Sequence, residues 1–201
     1  MAMPPHDPQP ENALLARMKQ GDEAAFVALY RRHKDAVYRF ALLYSGSPAV
    51  AADVTQDTFV HFMGHPNGYD PTRGAVGAWL CGIARNLARK HFQHREDATD
   101  PAQLHDDALL DESQVEAHTP LDRVLRDEAA EAVRAAVAAL APHYRDVLVL
   151  CELSELSYAE AAQVCGIDIG TVRSRLHRAR AQLATRLAGY HAAGGKEAAL
   201  S

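Results

Sequence analysis

Ser157–Leu183 reads SYAEAAQVCGIDIGTVRSRLHRARAQL. Ser157, with Glu160 three residues on, is the pattern of a capping box and opens a short helix. Gly166 ends that helix and Asp168 caps the next. Two short helices joined by a three- to four-residue turn containing Gly match the DNA-binding helix-turn-helix. In the second helix Val172, Leu176, Ala179, Leu183 and Leu187 recur at steps of four, three, four and four, which makes one apolar stripe. At about 100° per residue, Arg173, Ser174, His177 and Arg178 point the opposite way, with Thr171 beside them and Arg175 and Arg180 on the flanks. A recognition helix needs this division. Arg pairs bidentately with guanine, Ser and Thr reach bases or phosphates, and the helix N-terminus receives a phosphate. An ordinary solvated helix shares the Arg face but not the capped first helix and the Gly turn that come with it here.

Outward from this stretch the helical period continues and strand signals are nearly absent. Helices are predicted near 121–140, 143–153, 157–165 and 169–188. Towards the N-terminus, Phe26, Leu29, Tyr30, Val37, Phe40, Ala41 and Tyr44 share one face of a helix over 22–44. Gly46 stops it. Ser47-Pro48 restarts another, as N-cap and first helical position, running to about Met63. Residues 64–74 (GHPNGYDPTRG) are loop. Residues 75–94 form a third strong helix carrying Trp79, Leu80, Ile83, Ala84 and Leu87; the place of Trp79 in this stripe favours core packing over stacking on a base.

The chain has 201 residues, 48% hydrophobic and 23% charged, the balance of a globular protein. Its net charge of −5 is unevenly spread. Residues 11–95 hold 11 Lys/Arg and 7 Asp/Glu, a net +4. Residues 96–131 hold 2 Arg and 12 acids, a net −10, and residues 132–191 hold 7 Arg and 5 acids, a net +2. Two basic blocks flank an acidic one, so the whole-chain charge does not exclude nucleic acid. The expected class is therefore all-α, with two small helical domains joined by a flexible acidic linker. The boundaries are an N-terminal arm at 1–10, a first domain at 11–95, the linker at 96–120, a second domain at 121–190 and a tail at 191–201. The linker charge suits a segment that imitates nucleic acid in a basic channel. No apolar run approaches a membrane span and no signal-peptide core opens the chain, so the expected location is cytoplasmic, without membrane insertion. Cys81, Cys151 and Cys165 are odd in number and widely spaced, and read as buried small hydrophobes. The pairs His61/His65 and His91/His94 lack nearby Cys or carboxylate ligands in a metal-binding pattern, and no metal or cofactor is expected. Nor is there a nucleophile elbow or phosphate-binding Gly loop, so the chain is not read as an enzyme.

Residues 121–187, above all Leu156 to Ala162 with Gly170 to Arg180, resemble the fourth domain of an extracytoplasmic-function (ECF) sigma factor of the sigma-70 family. The Gly-Thr-Val-Arg-Ser-Arg string at 170–175 is specific for that group. The resemblance implies that Thr171, Arg173, Ser174, Arg175, His177 and Arg178 read the minus-thirty-five promoter element. A helix-turn-helix regulator acting alone is the alternative, and the first block discriminates. Asp53 to Val60 resembles the sigma segment that docks on the polymerase β′ coiled coil. Asp53, Gln56, Asp57 and Val60 share one side of their helix, while Val50, Ala51, Val54, Thr58 and Phe62 share the other. An acidic patch with an apolar centre suits a basic partner helix. Tyr69-Asp70-Pro71, Arg73-Gly74, Trp79-Leu80 and Ile83 to Asn86 resemble the segment that melts DNA and reads the minus-ten element.

Melting requires pockets and stacking to offset lost base stacking, a few kcal/mol per step. The loop 64–74 beside Asn86 is the candidate pocket. Arg73, Arg85, Asn86, Arg89, Lys90, His91, Phe92 and His94 are the candidate contacts, a basic ridge with one aromatic. Family members commonly carry Asp where this chain has Lys90; the extra cation strengthens phosphate attraction and leaves the minus-ten preference open. The implied function is promoter-specific initiation by core RNA polymerase, bound through its β′ coiled coil and β flap. The short tail after Leu187 points to control from a separate chain, an anti-sigma partner.

Overall fold

The structure, a computed structural model, describes residues 10–97 and 120–197. The arm at 1–9, most of the expected acidic linker and residues 198–201 lie outside the described residues. The order is α1 (Glu11–Lys19), α2 (Glu23–Ser45), α3 (Pro48–Gly64), a 3-10 turn (Pro71–Arg73), α4 (Val76–Asp97), α5 (Pro120–Ala138), α6 (Pro142–Leu148), α7 (Tyr158–Cys165) and α8 (Ile169–Glu197). No strand occurs among the described residues. The α8 helix continues past residue 190, where the sequence predicted the second domain to end.

Sequence signals account for most helix ends. Asp22 caps α2 by accepting from the Ala24 and Ala25 amides. The Arg17 guanidinium, 2.9 Å away, is the main reason the Asp22 carboxyl sits below its usual range. Ser47 caps α3 through the Val50 amide, with Pro48 following. The α1 helix escaped the sequence reading. It has nine residues and no side-chain cap, yet it buries Leu14, Leu15 and Met18 against the bundle. Tertiary packing rather than local signal holds so short a helix.

In the first domain α2, α3 and α4 pack pairwise around Leu29, Val37, Phe40, Ala51, Val54, Phe62, Val76 and Leu80. The two polar side chains inside α3 are satisfied locally: Thr55 donates to the Ala51 carbonyl at 2.7 Å and Thr58 to the Val54 carbonyl at 2.6 Å. Tyr30 departs from expectation. It was placed in the core stripe of α2, but it is 38% exposed at the stripe's edge, its ring edge-on to Phe59 at 4.8 Å.

In the second domain α6 runs on into a wider π-type turn (Val149–Leu153), where the sequence predicted one helix over 143–153. Residues Val147 to Leu150 are buried throughout. Such all-round burial means that this segment lies between layers rather than on a surface. It packs on α8 and α7 of its own domain, and its π-type turn on α2 of the first. The two domains thus share one hydrophobic core. Gly46 shows how close they come: it takes a left-handed φ of 70° at the end of α2, and a Cβ there would sit 3.4 Å from the Ala138 Cβ.

Candidate functional site

The helix-turn-helix is built as its sequence implies. Ser157 Oγ accepts from the Glu160 amide at 3.2 Å while Glu160 Oε2 accepts from the Ser157 amide at 2.9 Å, closing the capping box. Gly166 turns the chain with a φ of 66°, in the left-handed region where only Gly is unstrained. Asp168 then caps α8, accepting from the Thr171 amide at 2.8 Å and the Thr171 hydroxyl at 2.6 Å. Those two bonds hold its carboxyl below the usual range. Val172, Leu176 and Ala179 are buried, Leu183 and Leu187 half-buried. Arg173, Ser174, His177 and Arg178 are exposed together on the opposite face, with Thr171 and Arg175 half-buried at its border. Arg173 and Arg178 have no ion-pair partner among the described residues, whereas Arg180 on the flank is held by Glu152 at 2.6 Å. Thr171 spends its hydroxyl on Asp168 and Ser174 donates to the Thr171 carbonyl at 3.1 Å. Arg173, His177 and Arg178 therefore carry the free donors of this face.

On α3, Asp53, Gln56, Asp57 and Val60 are all exposed on one side, and Ala51, Val54, Thr58 and Phe62 are buried on the other. Two further apolar side chains join the patch. Met63 is 58% exposed one turn beyond Val60, and Tyr30 reaches it from α2, beside Phe26 and Phe59. Met63 was legible in the sequence, at i+3 from Val60 and i+7 from Gln56. Tyr30 was not, because it comes from a different helix. At the end of α3 the His61 and His65 rings stack at 4.2 Å, and His65 Nδ1 lies 3.0 Å from the His61 carbonyl.

The loop after α3 does form a cleft beside Asn86. It encloses about 250 Å³ between Tyr69, Asp70, Arg73, Trp79, Ile83 and Asn86. Tyr69 donates to the Gly74 carbonyl at 2.8 Å, and Asp70 caps the 3-10 turn through the amide and hydroxyl of Thr72. These bonds fix the loop's shape. Trp79 is half-buried, edge-on to Phe62 at 5.5 Å and tilted against Tyr69 at 5.7 Å, so it forms the wall of the cleft. Asn86 and Arg73 are exposed, as is Lys90.

The rest of the expected basic ridge is not an open ridge. Arg85 is 8% exposed. Its Nη2 donates to Asp146 of α6 at 2.7 Å and its Nη1 to the Val164 carbonyl of α7 at 3.3 Å. Arg89 lies 3.5 Å from the same Asp146 carboxylate. Phe92, expected to stack on DNA, instead lies under the Arg145 guanidinium at 4.5 Å and beside Tyr44 at 6.2 Å. His91 is half-buried; the side chain of His94 falls outside the described residues. The sequence missed this because the residues that cover the ridge are more than 40 positions away along the chain.

The fold and site together define a two-domain helical protein with a capped helix-turn-helix, an exposed acidic-apolar helix face and a cleft lined by Asp70, Arg73, Asn86 and Glu160. Comparison with known proteins gives the family. Residues 29–97 match the family described as Sigma-70 region 2, and residues 130–183 match Sigma-70, region 4. The chain is 36% identical over 84% of its length to the ECF RNA polymerase sigma factor SigE of Mycolicibacterium smegmatis, covering 65% of that protein, somewhat under two thirds. It is 34% identical over 88% of its length to SigM of Mycobacterium tuberculosis, covering 84% of it. The solved structure of CnrH in complex with the cytosolic domain of CnrY superposes with a TM-score of 0.66 at 28% identity, over 89% of this chain and 97% of that one. The chain belongs to the ECF sigma factors of the sigma-70 family.

Proposed function

We propose that this chain binds core RNA polymerase, carries it to specific promoters and helps open the DNA there, catalysing no reaction itself. The observation that carries this reading is the exposed face Asp53, Gln56, Asp57 and Val60, in one chain with the helix-turn-helix. A regulator that binds duplex DNA alone needs no such face. In this reading the α3 patch, widened by Met63 and Tyr30, seats the basic coiled coil of the β′ subunit, and the second domain seats the β flap. The exposed Arg173, His177 and Arg178 read the upstream element by donating to base edges and phosphates. Asn86 and Arg73 at the cleft, with the exposed Lys90 one turn further along α4, hold the downstream element; His91 and His94 are further contacts, and Arg85, Arg89 and Phe92 join them only where DNA displaces Asp146 and Arg145. The site of action is the cytoplasm, with the polymerase; no described helix is long and apolar enough to cross a membrane. CnrH was solved in complex with the cytosolic domain of CnrY; for this chain too a separate protein partner is proposed, an anti-sigma factor.

The test is transcription from fragmented source DNA with bacterial core polymerase and the purified protein, reading the 5′ ends of new transcripts. Discrete starts sharing two upstream elements, absent without the protein, are expected. Asp53→Lys should remove them by abolishing core binding while leaving helicity unchanged; retained core binding would show that the docking face is misplaced. Arg173→Ala should weaken promoter binding by about 1–3 kcal/mol and relax preference at one upstream position. Tight duplex binding without any polymerase-dependent starts would instead favour the stand-alone regulator.

A further inference from the structure

The C-terminal end of α3 carries two exposed imidazoles that no role above uses. His61 lies in the last turn, and His65 follows Gly64 as the cap. At four residues' spacing the two side chains stand one above the other, and their rings stack with centroids 4.2 Å apart. His65 Nδ1 lies 3.0 Å from the His61 carbonyl. A carbonyl oxygen only accepts, so this contact places the ring proton on Nδ1 and leaves Nε2 with a bare lone pair. Metal-bound histidines are oriented in the same way, by an acceptor such as a backbone carbonyl that takes the other ring proton. Neither ring is spent on a described carboxylate, unlike His33, whose Nε2 lies 2.6 Å from Glu11.

We propose that His61 and His65 chelate a divalent transition-metal ion through their Nε2 atoms, and that the bound ion weakens docking of the α3 face on its basic partner. Imidazole nitrogen suits Zn²⁺, Ni²⁺ and Cu²⁺, and its bond to zinc is about 2.0–2.1 Å long. Exposed side chains change rotamer freely, so both rings turn their nitrogens onto one ion. The carbonyls at the end of α3 add negative potential that favours a cation there. No group of three or more metal-ligating side chains converges among the described residues, so water completes the coordination. That absence is why the sequence predicts no metal; the backbone contact that sets the His65 tautomer is visible only in the structure. The effect on docking rests on the function proposed above. His61 adjoins Val60 and lies one turn beyond Asp57, both exposed on the docking face. A dication there opposes the acidic patch that a basic helix recognises.

The experiment uses the full chain without an affinity tag. Ni²⁺ is titrated by isothermal calorimetry into wild type, His61→Ala, His65→Ala and, as a control, the exposed His143→Ala. Burial pushes all three thiols up, so they compete poorly for the ion at neutral pH. Removing either member of the pair should weaken the tightest site roughly tenfold or more, since each imidazole raises the effective concentration of the ion at the other. His143→Ala should bind as wild type does. Wild-type affinity in either His61→Ala or His65→Ala overturns the chelate, as does equal weakening by His143→Ala. Binding of the fluorescein-labelled chain to core polymerase is then measured with and without Ni²⁺. The ion should weaken wild-type binding roughly fivefold or more, at the low end of coupling between sites, and leave that of His65→Ala as it is. No effect on wild type, or an equal effect on both proteins, overturns the blocking role and leaves the metal site standing. No binding to core even without the ion overturns the docking reading, and the blocking role with it, while the calorimetry still decides the site.

Discussion

Arg85 and Arg173 show how one residue type takes two roles. Both sit on strongly amphipathic helices among other cations. Arg173 faces solvent, while Arg85 is sealed against an aspartate 61 positions away. Arg145 is a third case: it donates to the Ala138 and Leu140 carbonyls and to the Tyr44 carbonyl, and covers the rings of Tyr44 and Phe92. Guanidinium suits this because its flat fork stacks and donates at once. Cys81 was read as a small hydrophobe, and it is buried in α4 with its thiol pushed up to about 12 by desolvation. Because the folded value lies above a thiol's ordinary 9.0, folding favours the protonated thiol. Its contribution to stability is full below about pH 9 and is lost as pH rises towards 12. Alkylation by iodoacetamide at pH 8 should therefore spare Cys81 in the native chain and label it after denaturation, as read by mass spectrometry. Rapid native labelling would contradict its burial.

At the scale of the element, the ends of α2, α3, α7 and α8 were written in their caps: Asp22, Ser47, Ser157 and Asp168 each bond the first free amides. Ser157→Ala should destabilise the second domain by about 1 kcal/mol, since α7 loses the hydroxyl that accepts from the Glu160 amide, while the backbone amide of residue 157 still donates to Glu160. Thermal melting followed by circular dichroism checks this, and an unchanged midpoint would mean that packing of Ala161 and Ala162 holds α7 alone. Where local signal is weak, the reading failed in an orderly way. The nine residues of α1 gave no cap, and α6 gave no hint of its π-type turn, because apolar positions that are buried all round carry no period. The α3 face was legible, since exposure and burial alternate with the helical period. Its neighbour Tyr30 was misassigned to the core because the edge of a stripe is decided by the helix packed against it.

For the whole molecule, the contacts of α2 with α5 and with the π-type turn, and of α4 with α7, join the domains through a continuous apolar core. The wild-type chain is therefore expected to unfold in one cooperative transition, with fluorescence of its one Trp in the first domain and far-ultraviolet circular dichroism giving the same midpoint. Two separated transitions would show that the shared core contributes too little to couple the domains.

The sequence alone determined the all-helical class, the two basic blocks, the helix-turn-helix with its exposed Arg173, His177 and Arg178, and the outward face of α3. Each follows from spacing within one helix or from a cap a few residues away, and helical geometry converts those directly into faces and ends. Only the tertiary structure decided which of the cations on α4 are open and which are spent. Arg85, Arg89 and Phe92 meet Asp146, Tyr44 and Arg145, partners from other helices that no periodicity links to them. A buried charge takes its role from the group that neutralises it, and that group is chosen by how the two domains pack.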